Sequence, residues 1–309
     1  MALHTHETAK DMTQISSEND RRTRLVSPAT IMGSIQFDMS SMTNGRTYRI
    51  FVYEPVQEPP PGGYPVIYVT DGNAFFPIAA MQADMMEENA LIVGIGYPAA
   101  GRRDPDILRC RDLTWEAPPA DIGADFAAYL QSQQISYGGA EEYFRFLRQE
   151  VEPAVSAIHT IDREKRTIFG DSLGGLFALS LLFKYPGEFK TYVAGSPSIW
   201  WNDKAILHDL PSFRHAIESR QASPRVLITV GSQEQSMEGL RVPKSMDRER
   251  FEQMIHKARM VENARELASE LQGIGGPKEY CVEYHSFAGE THQSVVGATI
   301  SRAIRFSAT

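Results

Sequence analysis

Apolar positions along the chain follow two periods. "TIMGSIQFDMSS" (30–41) and "RTYRIFVYEP" (46–55) alternate apolar and polar residues in the manner of strands. The turn between them holds Asn44-Gly45, a pair that accepts the positive φ angles of a tight hairpin, so the two segments read as an antiparallel pair. "PVIYVTDG" (65–72) and "ALIVGIGYP" (90–98) are unbroken apolar runs, the pattern of strands buried on both faces. A short strand is expected at 166–170, and further strands at 189–198, 224–232 and 279–287. Helical spacing recurs at 75–89, 141–158, 174–186, 251–272 and 292–306, and 251–272 reads as one long amphipathic helix.

Strands alternating with helices predict an α/β fold, a mainly parallel sheet with helices on both faces, made mixed by the leading hairpin. One domain is expected over 26–309, preceded by a polar, frayed tail at 1–25. Two stretches near 98–140 and 235–250 stand outside the alternation. Both are polar or rich in proline and glycine, and they read as lid-like segments or binding loops.

Composition narrows the partners. Hydrophobic residues make up 42% of the chain and charged residues 23%, as in a globular protein with a sizeable core. A net charge of -8 argues against a general nucleic-acid or anionic-membrane binder. No apolar run approaches the roughly 20 residues of a membrane span. The first residues hold no apolar core of a secretory leader, so the expected location is the cytoplasm. The two cysteines, Cys110 and Cys281, form neither a disulfide framework nor a zinc-ligand pattern.

The chemistry concentrates on "IFGDSLGGLFA" (168–178). Gly170-x-Ser172-x-Gly174 lies between a predicted strand and a predicted helix, where it fits the nucleophile elbow of an α/β-hydrolase. A serine that merely caps the helix is the structural alternative. It leaves the polar residues after the later strands unexplained. Reactive groups of an open α/β sheet collect at the carboxyl ends of its strands. Asp71 and Gly72, Ser172, Glu234 and His292 each follow one such strand, and the last three stand in the order nucleophile, acid, base.

A serine hydroxyl needs a histidine to take its proton, and a carboxylate on the other ring nitrogen fixes the tautomer. Glu234 has the expected position for that acid; Glu238 or a Ser/His dyad are the alternatives. His285 lies within a strand, and His159, His208, His215 and His256 in helices or connectors, where solvated or packing roles suffice. The oxyanion requires backbone donors, expected at Leu173 and at Gly72 or Asn73. Asp171 is read as structural or as a local electrostatic influence. In "SPSIWWN" (196–202), Ser196, Ser198, Trp200 and Trp201 either line the acyl side of the pocket or pack in the core. Arg102, Arg103, Arg109 and Arg111 are either a solvated face or cations over a cleft for an anionic or catecholic substrate.

Taken together, "YPVIYVTDGNAFF", "IVGIGYP", "RDLT", "IFGDSLGGLFALSLLFKYPGEF", "AGSPSIWWN", "VGSQEQ" and "FAGETHQSVV" resemble the esterase D-like esterases. Among these the chain looks most like the siderophore trilactone esterases, which hydrolyse enterobactin, salmochelin and bacillibactin. The resemblance covers residues 30 to 306. It implies an α/β-hydrolase fold, no metal or organic cofactor, and a small-molecule ester as partner, a ferric or apo siderophore. It matches Ser172 to the nucleophile, His292 to the base, a second oxyanion donor to the Asp71-Gly72-Asn73 turn, and Arg109 or Arg111 to a substrate-facing arginine. The same mechanism would also serve a general carboxylesterase, a feruloyl-type esterase or a thioester hydrolase. A non-catalytic binding protein on the hydrolase fold is the reading from a different class.

Overall fold

The computed structural model describes residues 13–15, 24–26, 29–98, 104–115, 136–238, 240, 242 and 247–308. Arg102 and Arg103, and most of the lid-like stretch at 98–140, lie outside the described residues. The chain divides into two compact units, Met1–Met32 and Gly33–Thr309. In the first, β1 (Thr13–Ile15) pairs antiparallel with β2 (Arg24–Val26).

The second unit opens with the expected hairpin, β3 (Ser34–Ser40) and β4 (Thr47–Tyr53). Gly45 takes φ 71 in its turn. There follow β5 (Tyr64–Val69), α1 (Gly72–Met85), β6 (Leu91–Gly96) and α2 (Asp104–Asp112). Ala140–Phe146, a π turn at Leu147–Val151 and Glu152–Ser156 run on as α3. Then come β7 (Ile161–Asp171), α4 (Leu173–Lys184), β8 (Thr191–Gly195) and α5 (Leu210–Glu218). β9 (Arg225–Gly231), α6 (Arg248–Ala258), α7 (Met260–Gln272), β10 (Cys281–Phe287) and α8 (Val296–Ser307) complete the unit. The eight strands are ordered β10-β9-β8-β7-β5-β6-β4-β3. β4 is antiparallel to β3 and β6, and all other pairs are parallel.

The apolar runs of the central strands are buried on both sides because both faces are covered. Val66, Tyr68, Ile168, Tyr192 and Ile228 join one cluster with residues of α3, α4, α5 and α7. The alternate positions Ile67, Val69, Phe169 and Leu227 are buried too, toward the face where α1 and α8 pack together. The ring of Phe75 in α1 meets Phe169 edge-on, at 6.3 Å between centroids.

Four elements differ from the sequence expectation. β7 is eleven residues long, not a short strand, because it continues back through exposed Arg163, Glu164 and Lys165, where no apolar run marks it. The stretch at 251–272 is two helices, broken at Arg259, which adopts a left-handed φ of 45 and ψ of 42. The break lets α6 turn Phe251, Met254 and Ile255 toward a cavity while α7 packs on β9 and β10. α1 starts at Gly72, several residues earlier than expected, directly at the end of the β5 turn. Part of the presumed lid is the helix α2, anchored by buried Cys110 and the adjoining Leu113 in the core.

Candidate active site

The elbow is built by close backbone approach. Ser172 caps α4 with φ 61 and ψ -115, a strained conformation for a residue with a Cβ. It is held there by its N–H donating to Gly195 O at 2.9 Å and by its carbonyl accepting from Ser198 N at 3.1 Å and Leu176 N at 3.0 Å. Any side chain on Gly170 would collide with the carbonyl of Gly174, and one on Gly174 would collide with Thr70 Oγ1. Both glycines are therefore steric requirements of the turn. The Ser172 hydroxyl lies 3.4 Å from Ser198 Oγ.

Two neighbouring strand ends supply the other members of the set. The loops after β9 and β10 are stitched together by Ser232 N to Phe287 O and Gln233 N to Glu290 O, both 2.9 Å. This places Glu234 beside His292. Glu234 Oε2 lies 2.7 Å from His292 Nδ1. Its other oxygen, Oε1, accepts from Ser196 Oγ at 2.5 Å and from Gly231 N at 2.6 Å. The Glu234 side chain is completely buried and that of His292 is 32% exposed. A buried carboxylate accepting three hydrogen bonds is well compensated for its lost hydration. With Nδ1 engaged, Nε2 is the ring nitrogen left for the cavity. Glu238, the alternative acid, is exposed, and its N–H donates to Ser236 Oγ. His285 pairs with Glu283 on β10 at 3.0 Å, away from this constellation.

Burial pushes the His292 imidazolium toward lower pKa, but the hydrogen bond to Glu234 and the charges of Asp171 and Glu234 outweigh it. The net value lies above the ordinary 6.5. Asp171 is fully enclosed, and its Oδ1 has no hydrogen-bond partner among the described residues. Burial raises its pKa to about 7, with Glu234 and Asp71 adding to the rise while His292 and Arg109 oppose it.

The expected oxyanion donors begin helices. Gly72 and Leu173 are the first residues of α1 and α4, which follow the adjacent strands β5 and β7. Helix-initial N–H groups have no intrahelical acceptor. Asn73 is fixed by its side chain, which accepts from Tyr97 N at 2.7 Å and donates to Tyr97 O at 2.9 Å.

Ser172, Ser198, Glu234 and His292 line one cavity of about 470 Å3, with Trp200, Lys204, Lys257 and an apolar wall from α6. The two arginines expected to face a substrate are not among its lining residues. Arg109 forks onto Asp71, Nε to Oδ1 at 2.6 Å and Nη2 to Oδ2 at 2.8 Å, and reaches the Asp171 carbonyl at 3.2 Å. Arg111 is bound to Glu142 and Asp112 and packs on Gly139. Both guanidinium groups are drawn to carboxylates that chain order does not reveal. The tryptophans also divide: Trp200 lines the cavity, whereas Trp201 is 4% exposed and meets Tyr137 edge-on. Sequence reasoning missed the role of Ser196 as a donor to Glu234. Its position after β8, next to β9, was the available signal.

The Putative esterase family model matches residues 40–293. The chain is 36% identical over 297 residues to the ferri-bacillibactin esterase BesA of Bacillus subtilis, covering 90% of each chain. It is 31% identical to the siderophore triacetylfusarinine C esterase of Aspergillus fumigatus over 294 residues, 90% of this chain and 94% of the relative. The crystal structure of the BES protein from Bacillus cereus superposes with a TM-score of 0.73 at 32% identity, over 91% of this chain and 99% of that one.

Proposed function

The chain belongs to the Putative esterase family, and from that premise we propose that it is a serine hydrolase opening the ester bonds of a catecholate trilactone siderophore. The observation that carries the mechanism is the buried Glu234–His292 pair, 2.7 Å apart, sharing a cavity with the strained Ser172. The substrate class is supported by relatives named as esterases of ferri-bacillibactin and of enterobactin, at 36% and 32% identity.

In this reading His292 Nε2 takes the Ser172 proton as Oγ attacks the ester carbonyl carbon. Glu234 holds the proton on Nδ1 and stabilises the imidazolium that forms. The oxyanion accepts hydrogen bonds from Leu173 N–H and from the N–H of Gly72 or Asn73. Collapse of the tetrahedral intermediate breaks the C–O ester bond, and His292 returns its proton to the leaving alkoxide. Water, deprotonated by the same imidazole, then releases the acid and restores Ser172. No step requires a metal or an organic cofactor.

A fluorophosphonate probe tests the nucleophile, and chromatography of an incubated catecholate trilactone tests the substrate. Labelling is expected at Ser172, and Ser172→Ala is expected to lose activity by a factor on the order of 10⁴ or more. A label on another serine would remove the nucleophile assignment. An intact trilactone alongside turnover of p-nitrophenyl acetate would leave a general esterase.

A further inference from the structure

Arg109 and Arg111 are bound to carboxylates and are not among the described residues that line the cavity. Among the described residues, two lysines line the cavity: Lys204, half-buried in the segment after β8, and Lys257, exposed in the last turn of α6. Among the described residues the lysine ion pairs are Lys165–Asp162 and Lys184–Asp209. Neither cavity lysine is in an ion pair among the described residues. The chain as a whole carries -8, so its long-range field repels an anion and any attraction must be local.

The segment that carries Lys204 shows a second sign of function. Asn202, Asp203 and Lys204 are consecutive residues in the left-handed region, at φ 49, 49 and 61. Side chains with a Cβ cost roughly 1–2 kcal/mol each in that conformation. Such strain collects where side-chain placement matters. Trp200, Asp203 and Lys204 of this segment all line the cavity. Facing them are Phe251, Met254 and Ile255 of α6, and Met254 is left 44% exposed. The cavity thus combines an indole and an apolar wall with two lysines that form no ion pair among the described residues.

We propose that Lys204 and Lys257 form an anion-recognition subsite of this cavity, one that takes the negatively charged ring oxygens of an aromatic acyl group resting on Trp200 and the apolar side of α6. The inference rests on the esterase reading above. Aromatic rings are favoured on indole and methionine surfaces, and an ammonium is a compact partner for a phenolate oxygen. Asp203, exposed on the same rim, works against the anion and sets the limit of the selectivity.

The test compares two esters of one skeleton, tris(2,3-dihydroxybenzoyl-serine) lactone and its O-methylated counterpart, which carries no ionisable ring oxygen. The readout is the ratio of their kcat/KM values. In full-length protein, the Lys204→Gln/Lys257→Gln double variant is expected to lower this ratio about tenfold, chiefly through KM, as two partly solvated charge contacts allow. Lys204→Arg/Lys257→Arg should restore most of the ratio. Asp203→Asn should raise it, and added salt should lower it in wild type but not in the double glutamine variant. A ratio unchanged in the double variant overturns the subsite, as does an equal loss on both esters, which would assign the lysines to packing. Should the wild type leave both lactones intact while cleaving p-nitrophenyl acetate, the siderophore reading alone falls. The subsite is then decided by inhibition of that cleavage by 2,3-dihydroxybenzamide, with 2,3-dimethoxybenzamide as the control that has no ionisable ring oxygen. A weaker inhibitor constant in the double variant sustains it, and an equal one overturns it.

Discussion

Replacing Glu234 by glutamine preserves shape and removes one charge, and the structure dictates which way the new amide faces. Oε1 accepts from Ser196 Oγ and from Gly231 N, at 2.5 and 2.6 Å. The Gly231 N–H is fixed in the backbone and must keep an acceptor, so the amide oxygen stays on that side. The amide NH2 then meets His292 Nδ1, where Oε2 stood at 2.7 Å. A donor at that point requires Nδ1 to carry a lone pair, and the ring proton moves to Nε2. The imidazole then has no lone pair to offer Ser172. Judged from chain order alone, loss of an orienting acid is milder than loss of the base; the two donors on Oε1 remove that margin. We expect kcat for p-nitrophenyl acetate to fall by about 10³–10⁴, as for other triads locked in the wrong tautomer. The unfolding midpoint in urea should move little, since every buried hydrogen bond keeps a partner. Steady-state kinetics from pH 6 to 9, with urea titration on the same samples, checks both. Retention of a tenth or more of wild-type kcat across that range would refute the argument and leave a Ser/His dyad.

The raised pKa of His292 places the acid limb of kcat/KM above the ordinary imidazole value of 6.5, because the base must be neutral; activity is lost as pH falls through that limb, and a midpoint at or below 6.5 would contradict the Glu234 and Asp171 contributions. Asp171 titrates near 7 in the folded state against 3.8 in the free side chain, so it costs stability as pH rises between those values, by up to about 4 kcal/mol. Asp171→Asn should therefore gain stability relative to wild type from pH 5 to pH 8 in urea titrations, and parallel pH profiles would assign the effect elsewhere. Arg109→Ala leaves the buried Asp71 carboxylate unpaired and should cost about 3–5 kcal/mol. Arg111→Ala removes a more exposed contact with Glu142 and one contact to the buried Asp112, which keeps Tyr97 and Arg46 as partners, so it should cost less than Arg109→Ala, and equal losses of Tm would reject this ranking.

Much of this site is legible in the chain because its members obey local rules. Ser172, Glu234 and His292 each stand just past an apolar strand, and strand ends converge in a parallel sheet whatever the loops do. The two glycines of the elbow are visible for the same reason: a turn this tight leaves no room for a side chain. The break at Arg259 had a signal that periodicity counting passed over. Extending the apolar positions of 251, 254, 255 and 258 by helical steps leads to Glu262 and Arg265, while the buried face of α7 runs through Met260, Ala264, Leu267 and Leu271. That shift of phase marks two helices without a glycine or proline between them. The arginines gave no such signal. Asp71 lies 38 residues from Arg109 and Glu142 lies 31 from Arg111, and only the folded chain brings the charges together. The start of β7 was hidden for the opposite reason, since its residues are polar and exposed.

The fork from Arg109 to Asp71 joins α2 to the turn that begins α1 at Gly72, where an oxyanion donor is proposed. Any exchange of the α2 segment is thereby tied to that turn through one side chain. A chimera that imports the 99–139 segment from a relative would decide whether Asp71 keeps its partner. Grafts that retain an arginine in register at 109 should keep wild-type turnover of p-nitrophenyl acetate. Grafts that omit it should turn that ester over slowly, whatever the fit of the donor loop.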